Sequence, residues 1–223
     1  AASDVYKRQD LTVEQGELFS LLGVNGAGKT TTIRMLTCLS APTAGEAFIC
    51  GHSTSSESAA VKQLVGISPQ DTAVAENLTV RENLALMAGI FGFSKEKTEQ
   101  RIKEMTQLFR LDEVLSSRAK TLSGGWKRKV SIAMALISEP QVLFLDEPTL
   151  GLDVLARREL WSAVNSLKGK ITIILTTHYM EEAEQLSDRI AIMVNGQIHA
   201  TGTLQELEAQ TGETGLELSL IHI

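Results

Sequence analysis

The octapeptide GVNGAGKT, Gly23 to Thr30, has the spacing Gly-x-x-x-x-Gly-Lys-Thr. Glycines leave backbone N–H groups bare, and a helix N-terminus carries partial positive charge, so such a loop between a strand and a helix cradles a β-phosphate. Lys29 would neutralise β- and γ-phosphates, and the Thr30 hydroxyl would reach Mg²⁺. Phosphate contacts are therefore expected from Gly23, Asn25, Gly26, Ala27, Gly28, Lys29, Thr30 and Thr31.

A second stretch, VLFLDEPT from Val142 to Thr149, is an apolar run ending in two carboxylates. Asp146 at the end of a buried strand can hold Mg²⁺ through water, on the side where α/β sheets take ligands. Glu147, one residue on, points elsewhere and can polarise a water against a γ-phosphate. ILTTH puts His178 at another strand end, and Gln70 follows LVGISP. Taken alone, a strand-end histidine is more often structural, and a loop glutamine carries no signal. A third stretch, LSGGWKRKV from Leu122 to Val130, sets two more glycines ahead of an apolar helix. That is a second anion site in a chain that already has one.

These groups need a scaffold that brings strand ends together. Continuous apolar runs at 18–23, 64–68, 142–146, 171–178 and 190–194 suit strands buried on both faces of a parallel sheet. Helical patterns lie between them, after the first loop and over 80–91, 95–109, 129–137 and 154–167. This alternation predicts an α/β fold with a mostly parallel sheet. The segment 77–120 is helical only and reads as an inserted lobe, extending to about 77–138 with the helix after LSGG. Asn195-Gly196 predicts a hairpin turn. Glu181, Glu182 and Glu184 read as a solvated acidic helix face.

Of 223 residues, 43% are hydrophobic and 22% charged, as in ordinary globular chains. A net charge of −6, with no basic run beyond Lys127-Arg128-Lys129, argues against a nucleic-acid partner. Cys38 and Cys50 show neither CxxC nor metal-ligand spacing, so a reduced, cytosolic chain is expected. No run approaches the ~18 apolar residues of a membrane span. Ala1–Gln9 and Ser219–Ile223 resemble translated adapter read-through, and the chain has no initiator Met. The expectation is a fragment whose native part is a single nucleotide-binding domain over 10–218, with 1–9 and 219–223 non-native.

Gly23–Thr30, Gln70, Leu122–Gly125, Asp146-Glu147, Leu150–Asp153 and His178 come in the order and at the approximate spacing of ATP-binding cassette (ABC) proteins, and the resemblance covers about residues 10–212. It implies a P-loop NTPase core with an inserted helical lobe and an N-terminal antiparallel β-subdomain, here truncated. It implies ATP and Mg²⁺ as ligands, with Thr30, Gln70 and Asp146 at the metal. Gln70 would sense the γ-phosphate and join core to lobe, Glu147 would be the base for the attacking water, and His178 the switch. Leu122, Ser123, Gly124 and Gly125 would be the signature, covering the γ-phosphate held by a partner's P-loop. The second anion site would thus serve another chain's ATP, in a head-to-tail dimer, with Asp153 in the loop linking its two sites.

Two features depart from that pattern. Trp126 stands where the family most often has Gln, and an indole packs rather than offering two-way hydrogen bonds. The family also stacks adenine on an aromatic before the P-loop, and Tyr6 falls near that place, inside the suspect terminus. LTVRENLALMAGIFGF and TTHYMEEAEQLSDRIAIM most resemble ATPase subunits of bacterial drug, sodium and polysaccharide exporters. The resemblance therefore implies a peripheral subunit on the cytoplasmic face of the inner membrane, paired with a second ATPase subunit and a membrane-spanning permease. The rival reading is a soluble ABC-type ATPase acting on ribosomes or DNA. Against it, such members usually carry two cassettes or a long coiled coil, and Lys29 to Ser123 leaves room only for a helical lobe.

Overall fold

A computed structural model describes residues 11–211. In chain order the elements are β1 (Leu18–Leu22), α1 (Lys29–Leu36), β2 (Phe48–Ile49), β3 (His52–Ser53), α2 (Ser58–Leu64) and β4 (Val65–Ser68). Then come three helices, α3 (Val80–Ile90), α4 (Lys95–Phe109) and α5 (Gly124–Leu136), before β5 (Val142–Asp146). The chain continues through α6 (Val154–Asn165), β6 (Thr172–Thr177), α7 (Met180–Leu186), β7 (Arg189–Val194), β8 (Gln197–Gly202) and α8 (Leu204–Thr211).

The large sheet runs β4-β5-β6-β1-β7-β8, parallel except for β8. Alternate residues of each central strand feed opposite layers, as the pleat requires. Leu18, Leu143, Leu145, Ile173 and Leu175 join the core shared with α3 to α6. Phe19, Val142, Phe144 and Ile174 join Ile33 and Val61 on the other face. Burial on both sides is why these runs read as continuous rather than alternating. The turn between β7 and β8 has Asn195 at φ 49° and Gly196 at φ 78°, the pair of left-handed residues a tight hairpin needs. The ribbon β2–β3 forms a separate antiparallel pair.

Between Ser68 and Val142 every helix or strand is helical. Side-chain caps start these helices. Thr79 and Glu82 form a reciprocal capping box on α3, Ser94 accepts from Lys97 N on α4, and Ser123 accepts from Trp126 N on α5. Arg101 of α4 donates to the last carbonyls of α5, Leu136 O at 2.6 Å and Ile137 O at 3.2 Å, which ties the two together. Helix α5 then lies against β4 so closely that a Cβ on Gly66 would sit 2.3 Å from Ala135 O. Helix α5 begins five residues before the apolar run at 129, because the Ser123 cap makes the glycines helical.

Candidate functional site

Because β4, β5, β6 and β1 are adjacent and parallel, the loops after all four open at one end of the sheet. The loop after β1 is shaped by its glycines. Gly26 and Gly28 hold φ of 84° and 105°, which side chains with a Cβ rarely adopt, and Gly28 caps α1. Gly23 is excluded from substitution for a different reason: a Cβ there would meet Met193 O at 2.3 Å. The loop is fastened by Gly23 N to Thr177 O at 3.2 Å and by Gly196 N to Ala27 O at 2.8 Å.

A cleft of about 380 Å³ lies over this loop, lined by residues 25–31 together with Gln70, Glu147, Leu150 and His178. Lys29, 5% exposed, donates to Gly23 O at 2.7 Å and Val24 O at 3.3 Å, and pairs with Glu147 Oε1 at 3.1 Å. The other oxygen of Glu147 meets His178 Nδ1 at 2.7 Å. Glu147 sits at φ 48°, and its N–H is held by the carbonyl and the hydroxyl of Thr176. A left-handed non-glycine residue directly after a strand turns the side chain away from that of Asp146. The two carboxylates therefore diverge. With Glu147 ionised, His178 Nδ1 donates to it and Nε2 is left for another partner.

Asp146, 3% exposed, accepts from Thr30 Oγ1 at 3.2 Å and from the Thr176 hydroxyl. A hydroxyl and a carboxylate beside the phosphate loop are hard oxygen donors of the kind Mg²⁺ takes. No group of three His, Cys, Asp or Glu that could cage a metal occurs among the described residues. A cation held by Thr30 and Asp146, with Gln70 at the cleft wall, would draw its remaining oxygens from water and phosphate, as Mg²⁺ commonly does. Bound there it would neutralise phosphate charge.

None of Leu122, Ser123, Gly124 and Gly125 lines this cleft. Ser123 and Gly124 are exposed, and a Cβ on Gly124 would meet nothing within 4 Å. A Cβ on Gly125 would meet that of Ala156 at 3.3 Å, so the Leu122–Gly125 stretch abuts the start of α6. Asp153 caps that helix, accepting from Ala156 N at 2.9 Å, and is exposed. Trp126 packs on its own chain, half-buried, with Lys129 Nζ 4.6 Å from its ring centre and Lys129 paired to Glu159 at 2.6 Å. Tyr6 lies outside the described residues.

Sequence reasoning left Arg128 unread and misjudged Glu182. Arg128, inside the basic run, is 5% exposed and donates to Pro69 O at 2.6 Å and to Gln70 O, so α5 grips the backbone of the loop after β4. Burial lowers its pKa, against the opposing pull of Asp146, Asp71 and Glu182. Its spacing to Ile132 and Leu136 on the buried face of α5 was the available signal. Glu182 was assigned to a solvated acidic face, and the structure overturns that: it is 0% exposed and accepts from Trp161 Nε1 at 3.0 Å. Burial pushes its carboxyl up. Glu181, by contrast, is exposed.

A family model described as "ABC transporter" matches residues 6–150. The human phospholipid-transporting ATPase ABCA3 is 42% identical over 212 residues, covering 95% of this chain and 12% of that protein. The daunorubicin/doxorubicin resistance ATP-binding protein DrrA of Streptomyces peucetius is 41% identical over 212 residues, 95% of this chain and 64% of that one. The chain thus spans less than two thirds of either relative. Among solved structures, an ATP-binding subunit of an ABC transporter superposes with a TM-score of 0.88 at 34% identity, covering 99% of this chain and 93% of that one. A dimeric ATP-binding cassette in a post-hydrolysis state, bound to ADP and Pi, gives 0.81 at 27% identity, covering 90% of each.

Proposed function

From the premise that the chain belongs to the ABC transporter family and is an ABC ATPase domain, we propose that it powers an exporter by hydrolysing ATP at the shared faces of a head-to-tail dimer. The observation that carries this reading is the division of labour in the site. Lys29, Thr30, Asp146, Glu147 and His178 converge on one cleft, while Ser123 and Gly124 are exposed outside it. A γ-phosphate bound in the cleft then needs its cover from a second chain. Exposed Val24, Val154 and Leu155 supply apolar surface beside the phosphate loop and Asp153.

In this reading Lys29 exchanges Glu147 for phosphate oxygens when ATP enters. Glu147, freed from the cation and still oriented by His178, takes a proton from the attacking water. Gln70, whose carbonyl Arg128 holds, lines the wall near the terminal phosphate. Thr30 and Asp146 would hold Mg²⁺, which when bound would offset the phosphate charge.

For the membrane partner, Leu39, Leu86 and Ile90 are exposed beside a second cleft lined by Ile67, Met87, Phe91 and Met134. No helix among the described residues is long and apolar enough to cross a membrane. An apolar helical segment of a permease fits that groove and would hold this chain at the cytoplasmic face. The exporter assignment rests on DrrA-type drug-resistance relatives.

Complementation tests the dimer. Lys29→Ala and Ser123→Arg should each be inactive, and a mixture should regain ATPase activity, because a mixed dimer has one site bearing both lesions and one bearing neither. Adding Glu147→Gln to the Ser123→Arg chain should abolish the rescue. A mixture as dead as its parents, with mixed dimers demonstrated, would overturn the across-chain reading.

A further inference from the structure

Three of the buried side-chain atoms without a hydrogen bond of ordinary geometry are Thr149 Oγ1, Arg157 Nε and Glu182 Oε2. All three belong to segments beside the catalytic dyad. Glu182 lies on α7, just beyond His178, and its Oε1 takes the Trp161 indole N–H of α6. The hydroxyls of Thr177 and Thr149 face the same carboxyl and, with that indole, oppose the upward push of burial on its pKa, while the charge of Glu147 adds to it. Thr177 immediately precedes His178, and Thr149 follows Glu147 by two residues. Helix α6 is the one that Asp153 caps.

Four residues before Trp161 on α6, Arg157 makes a parallel contact. Its guanidinium lies over the Tyr179 ring at 4.9 Å and reaches Glu181 at 3.9 Å. The Tyr179 and His178 rings are 4.0 Å apart. The switch segment is therefore pinned to α6 twice, once at its surface and once in the interior.

We propose that Glu182 is a positioning residue for the ATPase reaction: one buried carboxyl gathers the segments that carry Glu147, His178 and Asp153, and so fixes the aim of His178 at Glu147. The geometry makes this specific. A carboxyl buried on α7 purely as filler would be replaced by an apolar side chain at no loss, since a buried polar group costs free energy unless it is paired. Here its three neighbours come from three different elements, each adjoining one of the three functional positions. Movement of α6, as when a partner chain engages Asp153, is transmitted through Trp161 and Arg157 to the switch segment. Glutamine reproduces the requirement, since its carbonyl accepts the indole N–H and its amide donates to a threonine hydroxyl. Alanine removes all of these contacts.

The inference rests on the ATPase reading, and two measurements keep their failures apart. In steady-state hydrolysis, Glu182→Ala should lower kcat roughly tenfold or more, as misplaced catalytic groups do, with KM for ATP within about twofold. Glu182→Gln should recover kcat to within about threefold of the parent. The second measurement needs no hydrolysis: the ring signals of His178 in isotope-labelled, nucleotide-free protein should shift or broaden in Glu182→Ala and return in Glu182→Gln. Trp161→Phe, which keeps the aromatic packing, should move them in the same direction as Glu182→Ala. Unmoved His178 signals in a folded Glu182→Ala protein would overturn the proposal, as would glutamine behaving no better than alanine. A parent without ATPase activity would sink the functional reading, and the His178 signals would still decide the positioning role.

Discussion

Replacing Glu147 with glutamine separates binding from chemistry because Glu147 does two jobs in this structure. Its Oε2 meets His178, and its Oε1 occupies the cation that phosphate would use, at 3.1 Å with both side chains buried. Unit charges at that distance attract by about 5 kcal/mol at an effective dielectric of ~20. That is an upper bound on what ATP must displace, since Lys29 keeps its carbonyl contacts at 2.7 and 3.3 Å and Glu147 keeps His178. If a quarter to a third survives, the glutamine variant binds ATP tighter by about 1–2 kcal/mol, roughly 5- to 30-fold. Hydrolysis should fall about 10²- to 10⁴-fold, the usual contribution of a general base. Equilibrium binding of a fluorescent ATP analogue, phosphate release, and size-exclusion chromatography with Mg-ATP give the three readouts. A dimer should accumulate with ATP. Weaker ATP binding, or hydrolysis within about tenfold of the parent, would refute the assignment of Glu147 as both partner of Lys29 and base.

Gly23→Ala should lower stability by about 1–3 kcal/mol, because its Cβ meets the Met193 carbonyl at 2.3 Å and backbone must move. A thermal melt should show a drop of roughly 2–12 °C for a domain of this size. Asn83→Ala should cost about 1–3 kcal/mol by stranding Ala75 N, which now donates to the buried amide oxygen at 2.8 Å, and by removing the amide's bonds to Ala75 O and Thr79 O at 3.1 and 2.9 Å, and urea denaturation measures it. Glu182→Gln should be stabilising at alkaline pH and near neutral in effect at about pH 4. The folded carboxyl has its pKa raised above 4.5; above 4.5 the folded state therefore binds more protons than the unfolded one, and the parent loses stability as pH rises through that window. Melts of both proteins across that range should diverge upward with pH.

The five parallel strands were legible because burial leaves them without an exposed polar face, so LFSLL, VLFLD and TIILTT read as short continuous runs rather than alternating ones. Strand β8 was not, since Gln197–Gly202 is buried on one side only and was signalled by the Asn195-Gly196 turn alone. The β2–β3 ribbon has two residues a side, too few to carry a period. In the site, groups fixed by local spacing were visible from residues 23–30 and 146–147. Arg128 and Glu182 were hidden because each sits in a run of like charge, and each is buried by partners distant in sequence, Pro69 and Gln70 for one and Trp161 for the other. For Glu182 the available signal was its alignment with Leu186, one helical turn on, also buried.

The strand order has a consequence for how such a chain is made. β1 carries the phosphate loop, yet both of its neighbours come from the far part of the chain: Leu18 pairs with Ile173 in β6 and Leu21 with Ala191 in β7. A ribosome delivering residues from the N-terminus therefore releases the phosphate loop long before any strand exists to hold it. β4 and β5 can pair with each other earlier, with the three-helix lobe between them folding locally. Nascent chains from which Thr172 has not yet emerged should hold a folded lobe and an unpaired β1, and should resist proteolysis across 80–136 while remaining cleavable around 18–36. Nucleotide in the medium should protect only chains long enough to supply β6 and β7, which makes the emergence of Val194 the point at which translation and ligand first meet.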